Sequence, residues 1–258
     1  MNPQSAVRSP APRGGARRRA PVPFAAPLGA LSPLPFVFVN MAMTADGKIA
    51  TVDRAVASFS SRRDQEHLYE LRATADAVMC GARTVNLNQI SLGAGGAKYR
   101  RLRRKRGLAE YPLRVVVTGF GSLRPQAHLF TRRFSPIVVL TTERAGSRRL
   151  RALQAVADEV KVCGEEEIDF RSALAWLREK WGVRRLLCEG GGELNGALLA
   201  AGLVDELHLT LCPVIFGGRD APTIADGPGV ARLADAAQFR LQLQRRTGNE
   251  MFLVFARG

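Results

Sequence analysis

Apolar residues in this chain fall into short, nearly unbroken runs, and the segments between the runs carry apolar residues at helical spacing. Runs of four to eight such residues bounded by turn formers read as strands buried on both faces. Residues 34–41, 76–80, 113–117, 136–140, 159–163, 183–188 and 206–211 are of this kind. Between them, residues 60–64 supply N-cap chemistry for a helix with Leu68, Leu71 and Ala75 on one face. Residues 81–85 open another turn into helix, and residues 148–157 read as helical. Phe170, Leu174, Leu177 and Trp181 mark an amphipathic helix. Leu194, Leu198 and Leu199 mark one more, stopped at Ala201-Gly202. Residues 239–243 and 251–255 pattern as a terminal hairpin. Strands alternating with helices, closed by antiparallel strands, predict a three-layer α/β fold on a mostly parallel, mixed sheet.

The segment from Leu186 to Leu199 places Gly190, Gly191 and Gly192 between a strand and a helix. Unpaired N–H groups and the positive end of a helix dipole face such a turn, so a phosphate can lie against the main chain there. A tight strand-to-helix connection without a ligand explains the same glycines, and both readings stand on this stretch alone.

Charge changes the picture less than its total implies. The net charge is +15, but residues 1–33 carry five arginines and no acid, and residues 98–106 carry seven more basic residues. Those twelve removed, the rest is nearly balanced. Neither helix-turn-helix nor RNA-binding signatures occur, and no series of aromatics is interleaved as stacking platforms, so no specific nucleic-acid partner is expected. The run reads as a basic loop, solvated or gripping an acidic small molecule. Residues 1–33 are Ala/Pro/Arg-rich without periodicity and read as a disordered extension, either a floppy leader or a mis-chosen start; the ordered domain is expected over 34–258. No apolar run approaches the roughly 20 residues that cross a bilayer, so no membrane association is expected. Cys80, Cys163, Cys188 and Cys212 are far apart, which favours buried thiols in a reducing, cytoplasmic setting over disulfides or a metal site.

Three segments in order then resemble a known family: residues 40–50 (NMAMTADGKIA), 70–85 (ELRATADAVMCGARTV), and 188–195 (CEGGGELN) followed by 202–207 (GLVDEL). Together they resemble the pyrimidine reductases of riboflavin biosynthesis, the RibD C-terminal domain family, over about residues 34–257. The resemblance implies a dihydrofolate-reductase-like fold, NADPH as cofactor and a homodimer. The zinc-deaminase motifs H-x-E and P-C-x-x-C do not occur, which resembles the stand-alone reductase form.

By the same resemblance, Gly190, Gly191, Gly192, Glu193 and Leu194 would lie against the cofactor's pyrophosphate, Gly81, Thr84 and Asn88 would bind it from a second helix start, and Ala42, Ser58 and Ser60 would flank the nicotinamide. Glu189 and Arg72 would meet a phosphorylated pyrimidine, with Asn40 at its reacting ribosylamino region and Leu92 beside it. Glu189 and Asp46 are the candidate catalytic carboxylates, although the D-G pair at Asp46 reads equally as a turn. Thr84 and Arg72 also have plain readings, as a hydroxyl near a helix start and a solvated helix charge.

The chain departs from the family on the phosphate side. It has Asn88, Gln89 and Ile90 where the family runs toward Asp and Pro, Gly95 where a phosphate-binding arginine is expected, and Val56 where a hydroxyl can face the substrate. A flexible 93–96 loop leading into Lys98, Arg100 and Arg101 can replace the arginine as a clamp; a solvated loop is the plain alternative. The reaction implied is hydride transfer from NADPH to C1′ of the ribosylamino pyrimidine phosphate in its open imine form. A same-fold reductase of a pterin, folate or other imine, and a cofactor- or polyanion-binding protein without turnover, are the rival readings.

Overall fold

The computed structural model describes residues 32–54 and 59–258. The reading of residues 1–33 as an extension therefore lies, except for 32 and 33, outside the described residues, as do Val56 and Ser58. The central strand β1 (Phe36–Thr44) alternates its side chains between two cores. Val37 and Val39 enter one, and Phe38 enters the other. This division of one strand between two buried layers is what a sheet covered on both faces requires.

From β1 the chain enters α1 (Arg62–Arg72), whose N-cap Ser61 accepts from the backbone N–H groups of Arg63 and Asp64. Strand β2 (Ala77–Gly81) runs directly into α2 (Ala82–Leu87). After α3 (Ala97–Lys105), β3 (Leu113–Thr118), α4 (His128–Thr131) and β4 (Ile137–Thr141) follow, then α5 (Gly146–Gln154) and β5 (Glu159–Val162). The chain then returns through α6 (Phe170–Trp181) to β6 (Arg185–Cys188), which inserts between β2 and β1. Helix α7 (Gly192–Ala200), β7 (Glu206–Cys212) and the hairpin β8 (Phe239–Thr247) and β9 (Glu250–Arg257) complete the fold.

The nine-stranded sheet has the order β5-β4-β3-β2-β6-β1-β7-β9-β8. Strands β1 to β7 pair in parallel; β9 pairs antiparallel with β7 and with β8. Helices α6 and α7 pack Phe170, Leu174, Leu177, Leu194 and Leu198 on one face. On the other face α1, α2, α4 and α5 supply Leu71, Val85, Leu129 and Leu153. The three-layer, mostly parallel expectation is what is observed, with the antiparallel hairpin at one edge. All four cysteines are free and buried. No helix among the described residues is long and apolar enough to cross a membrane.

Two expectations are corrected. The basic run is helix α3, not a loop: Tyr99 and Arg103 are buried beneath its charge. The Arg103 guanidinium donates to the carbonyls of Arg72 and Ala75, both at 2.5 Å, and of Ala109, at 2.8 Å, closing the C-terminal end of α1. Charge count hides this helix because the residue holding it in place is itself an arginine. The buried face of α1 is also more polar than its leucines suggested. Asp64, His67, Leu71 and Arg72 are buried, whereas Leu68 is only partly covered and Ala75 lies past the helix end.

Candidate active site

The C-terminal ends of β1, β2 and β6 meet where β6 inserts, the kind of crevice in which parallel α/β sheets bind ligands. Glu189 leaves β6 with its N–H donating to the Met79 carbonyl at 2.8 Å, and the next carbonyl, Gly190, accepts from Gly81 at 2.9 Å. The starts of α2 and α7 are thereby locked side by side. Neither has a side-chain cap, so the first N–H groups of α7 have no side-chain acceptor.

The three consecutive glycines have different reasons. Gly190 has φ +72°, and a Cβ on it would meet Met41 Sδ at 2.8 Å. A Cβ on Gly192 would strike Asp226 Oδ2 and the Thr223 carbonyl, and one on Gly196 would strike the Asp226 carbonyl. Those two let the 223–226 segment close on α7; Asp226 N–H donates to Gly192 O at 2.9 Å, and Asn195 Nδ2 to Ile224 O at 2.8 Å. Around Gly191 there is open space: a Cβ on it would meet no atom within 4 Å. Protein packing therefore explains two of the glycines and leaves the middle one in open space.

Beside this turn, Glu189 and Arg72 form a bidentate pair, with Arg72 Nε and Nη2 each 2.6 Å from a carboxylate oxygen. Arg72 Nη1 donates to the Gly93 carbonyl at 2.7 Å. Burial works against the charge on Arg72, but Glu189 outweighs it and raises the guanidinium above its ordinary range. Arg72 is thus a buried partner, not a solvated helix charge. Asn40 lies on β1 in the adjacent position, 7% exposed, and its Oδ1 has no hydrogen-bond partner.

The remaining expected residues sort as follows. Gly81 is the N-cap of α2, and Thr84 is half-buried on that helix. Asn88 closes the helix, its N–H and Nδ2 both donating to the Thr84 carbonyl at 3.1 Å. Ala42 is half-buried on β1 opposite Thr210, and Ser60 immediately precedes the α1 cap. Glu193, at the first turn of α7, pairs at 3.0 Å with Arg83, a bridge across the two helix starts that the sequence reading did not include. The Leu194 and Leu92 side chains belong to the two cores, so only their backbone can meet a ligand.

Asp46 does not join this cluster. It accepts from Thr44 Oγ1 at 2.5 Å and from the Phe216 and Gly217 N–H groups, and the Thr44 bond leads the causes that hold its pKa down. It ties a turn to the 216–217 segment and is a poor proton donor. The clamp is also revised. Gly95 has φ +85°, and a Cβ on it would press the Tyr69 ring at 2.7 Å, so residues 93–95 are packed and not free to bend. Arg100 is engaged with Tyr111 Oη at 2.7 Å and Glu110 at 3.2 Å. Arg101 is exposed, and Lys98 lies 5.0 Å from the Tyr99 ring centre. Tyr99 in turn stacks 5.3 Å from Tyr69, and the Tyr69 ring is 5.6 Å from the Arg72 guanidinium. Of the three cations, Lys98 is the one connected by contacts to Glu189. Among the described residues no group of three or more His, Cys, Asp or Glu could hold a metal ion.

The family model of the RibD C-terminal domain matches residues 35–253. The chain belongs to this family. It is 36% identical over 223 residues to the 2,5-diamino-6-ribosylamino-4(3H)-pyrimidinone 5′-phosphate reductase of Archaeoglobus fulgidus, covering 86% of this chain and 98% of that protein. The protein of the same description from Aquifex aeolicus is 30% identical over 84% of this chain and 94% of its own. Among solved structures, a pyrimidine reductase-like protein of Corynebacterium diphtheriae superposes with TM-score 0.73 at 21% identity, covering 86% of this chain and 92% of that one. The riboflavin biosynthesis reductase of Saccharomyces cerevisiae superposes at 0.64 and 16% identity, covering 90% and 93%. The dihydrofolate-reductase-like architecture expected from the resemblance is the one shared with these structures.

Proposed function

We propose that this protein is an NADPH-dependent reductase that converts the ribosylamino side chain of a diaminopyrimidinone 5′-phosphate to the ribitylamino form. The observation that carries the reading is the open face of Gly191 at an uncapped helix start, directly beside the buried Arg72–Glu189 pair. The reductase names of relatives 30–36% identical over most of this chain support it.

The residues fit a dinucleotide. The N-terminal N–H groups of α7 face the place a pyrophosphate would take, Gly191 lets it approach the backbone, and Thr84 presents a hydroxyl from α2. When bound, NADPH supplies a hydride from its nicotinamide ring. Glu189, fixed by Arg72, would accept N–H bonds from the pyrimidine, and the orphaned Asn40 Oδ1 would accept a bond from the sugar side. Lys98, at the outer end of the Arg72–Tyr69–Tyr99 stack, would meet the phosphate. Pairing of two copies through the exposed edge strand β8, where Leu241 is 52% exposed, fits a homodimer. Four free thiols fit work in the cytoplasm.

The test is NADPH oxidation with the pyrimidine phosphate, with dihydrofolate and with no substrate. Turnover confined to the pyrimidine phosphate is expected. Turnover of dihydrofolate alone would move the assignment to folate chemistry, and NADPH binding without any turnover would remove the enzyme reading.

A further inference from the structure

The proposed reaction uses few of this chain's positive charges. Residues 97–158 hold fifteen lysines and arginines against three carboxylates, whereas residues 159–205 hold six against nine. The surplus therefore belongs to one stretch of the fold. Of the fifteen, Arg103 and Arg114 are buried and Arg100 is half-buried; the other twelve are exposed. Glu110 and Asp158 pair with Arg100, Arg104 and Arg133, which leaves most of the exposed charge uncompensated.

In sequence these cations form separate runs, and the fold joins them. Helices α4 and α5 cover the same sheet face as α1, and α3 packs on α1 through Tyr99, 5.3 Å from Tyr69. Along α3, Lys98, Arg101 and Lys105 share the exposed side, away from buried Tyr99 and Arg103. Contacts carry the band onward from there. Arg100 Nη1 donates to Tyr111 Oη at 2.7 Å, and the Tyr111 ring lies 4.7 Å from that of Phe134. Next to Phe134, Arg133 Nη1 donates to the Val156 carbonyl at 2.8 Å, just past the end of α5. At the start of α5, Arg149 Nη1 donates to the Phe120 carbonyl at 3.0 Å, and the Arg144 guanidinium stands 4.0 Å from the Phe120 ring centre. Arg132 and Arg133 precede β4, and Asp158 precedes β5. This middle part of the band thus lies at the N-terminal ends of the parallel strands, whereas the crevice lies at their C-terminal ends.

We propose that this band binds the phosphate backbone of single-stranded RNA without reading its sequence. A chain of phosphates matches cations repeated along α3, the 132–133 segment and α5. Phe120, 49% exposed, gives a base a ring to stack on beside the Arg144 guanidinium. A membrane surface fits less well, because it takes in apolar side chains, and Phe120 is the one large apolar residue exposed in 97–158. A folded protein partner fits less well for the same reason, since such interfaces are anchored by a desolvated centre with few charges. The inference is independent of the proposed reaction and requires neither turnover nor cofactor.

The experiment is fluorescence anisotropy of a labelled oligouridine of about 20 nucleotides titrated with the full chain over a series of salt concentrations. Two double variants reverse charge within the band: Lys105→Glu with Arg132→Glu, and Arg148→Glu with Arg151→Glu. Arg171→Glu with Arg178→Glu makes the same change in net charge on α6. None of the six side chains is buried, so melting temperatures should hold. Each band variant should weaken RNA binding at least roughly tenfold and lower the slope of log K against log salt by about 1.4, at about 0.7 for each phosphate contact removed. The α6 variant should stay within about twofold of wild type, and Phe120→Ala should lose at least about fivefold through stacking alone. Wild type that does not bind the RNA, band variants that bind it as wild type does, or an α6 variant that loses as much as they do each overturns the proposal. Tighter binding to phosphatidylserine vesicles or to polyglutamate than to RNA at equal salt also overturns it, in favour of a membrane or an acidic protein. If one band variant does not fold, the other decides.

Discussion

Gly191 allows the cofactor placement to be tested without disturbing the fold. The residue has φ −76° and ψ −166°, extended backbone open to any side chain, and nothing stands within 4 Å of a Cβ there. Gly191→Asp should therefore leave the melting temperature within a degree or two while placing a carboxylate where a pyrophosphate would sit. Two unit charges about 4 Å apart repel by about 1 kcal/mol in bulk water and about 4 kcal/mol at the effective dielectric of a protein surface. A half-screened turn lies between these limits, so NADPH affinity should fall by roughly fivefold to several hundredfold. Gly191→Ala adds bulk without charge and should cost much less; Gly192→Ala, forced against Asp226 and the Thr223 carbonyl, should lower stability first. Affinity is read by titrating the cofactor against intrinsic fluorescence, and folding by thermal melts. Unchanged NADPH affinity in a folded Gly191→Asp protein would refute the placement.

Removing Glu189 leaves the Arg72 charge buried and unpaired, so Glu189→Ala should cost about 3–5 kcal/mol of stability and abolish turnover; denaturant melts and the NADPH assay check both. Replacing Lys98, Arg100 and Arg101 by alanine should raise KM for the phosphorylated substrate at least roughly tenfold, with most of the effect from Lys98→Ala alone and NADPH affinity unchanged; a KM that does not move would place the phosphate elsewhere. A further prediction concerns acid. Burial depresses His67 below its ordinary 6.5, and its partners Arg63 and His67 carry Glu70 down to about 2 from 4.5 against its own burial. Both folded-state values lie below the unfolded ones. Stability is therefore fully present above pH 6.5, declines first as the unfolded chain takes the His67 proton, and declines again between about 4.5 and 2 through Glu70. His67→Phe should flatten the first decline in melts taken from pH 7 to 5, and an unchanged slope would count against it.

Apolar periodicity revealed the strands because each is buried on both faces, so nearly every residue in it is hydrophobic. Helix α3 was hidden for the opposite reason: its anchor is Arg103, and a run of cations gives no apolar period. The glycine turn was legible as an anion site, but not the division of labour within it, since which glycine faces open space depends on the distant 223–226 segment. Glu189 and Arg72 were found separately; their bidentate contact joins positions 117 residues apart. The Arg83–Glu193 bridge and the buried pair His67 and His208 left no local signal, being ordinary residues until the fold brings them together.

Arg103 shares its arrangement with Arg114, which is also fully buried and donates to the carbonyls of Leu129, Arg132 and Ser135. In both places a helix end and the segment near it leave peptide oxygens converging on one point, and the guanidinium occupies that point as a tethered cation would occupy an ionophore. Among the described residues no carboxylate hydrogen-bonds either head group, so salt that loosens the surface ion pairs has no counter-ion to displace here. Lysine has the charge but a single nitrogen, which cannot span three carbonyls held apart by a planar fork. At these two positions, therefore, arginine is specified by geometry rather than by charge, and an Arg→Lys exchange there changes the architecture while leaving the net charge untouched.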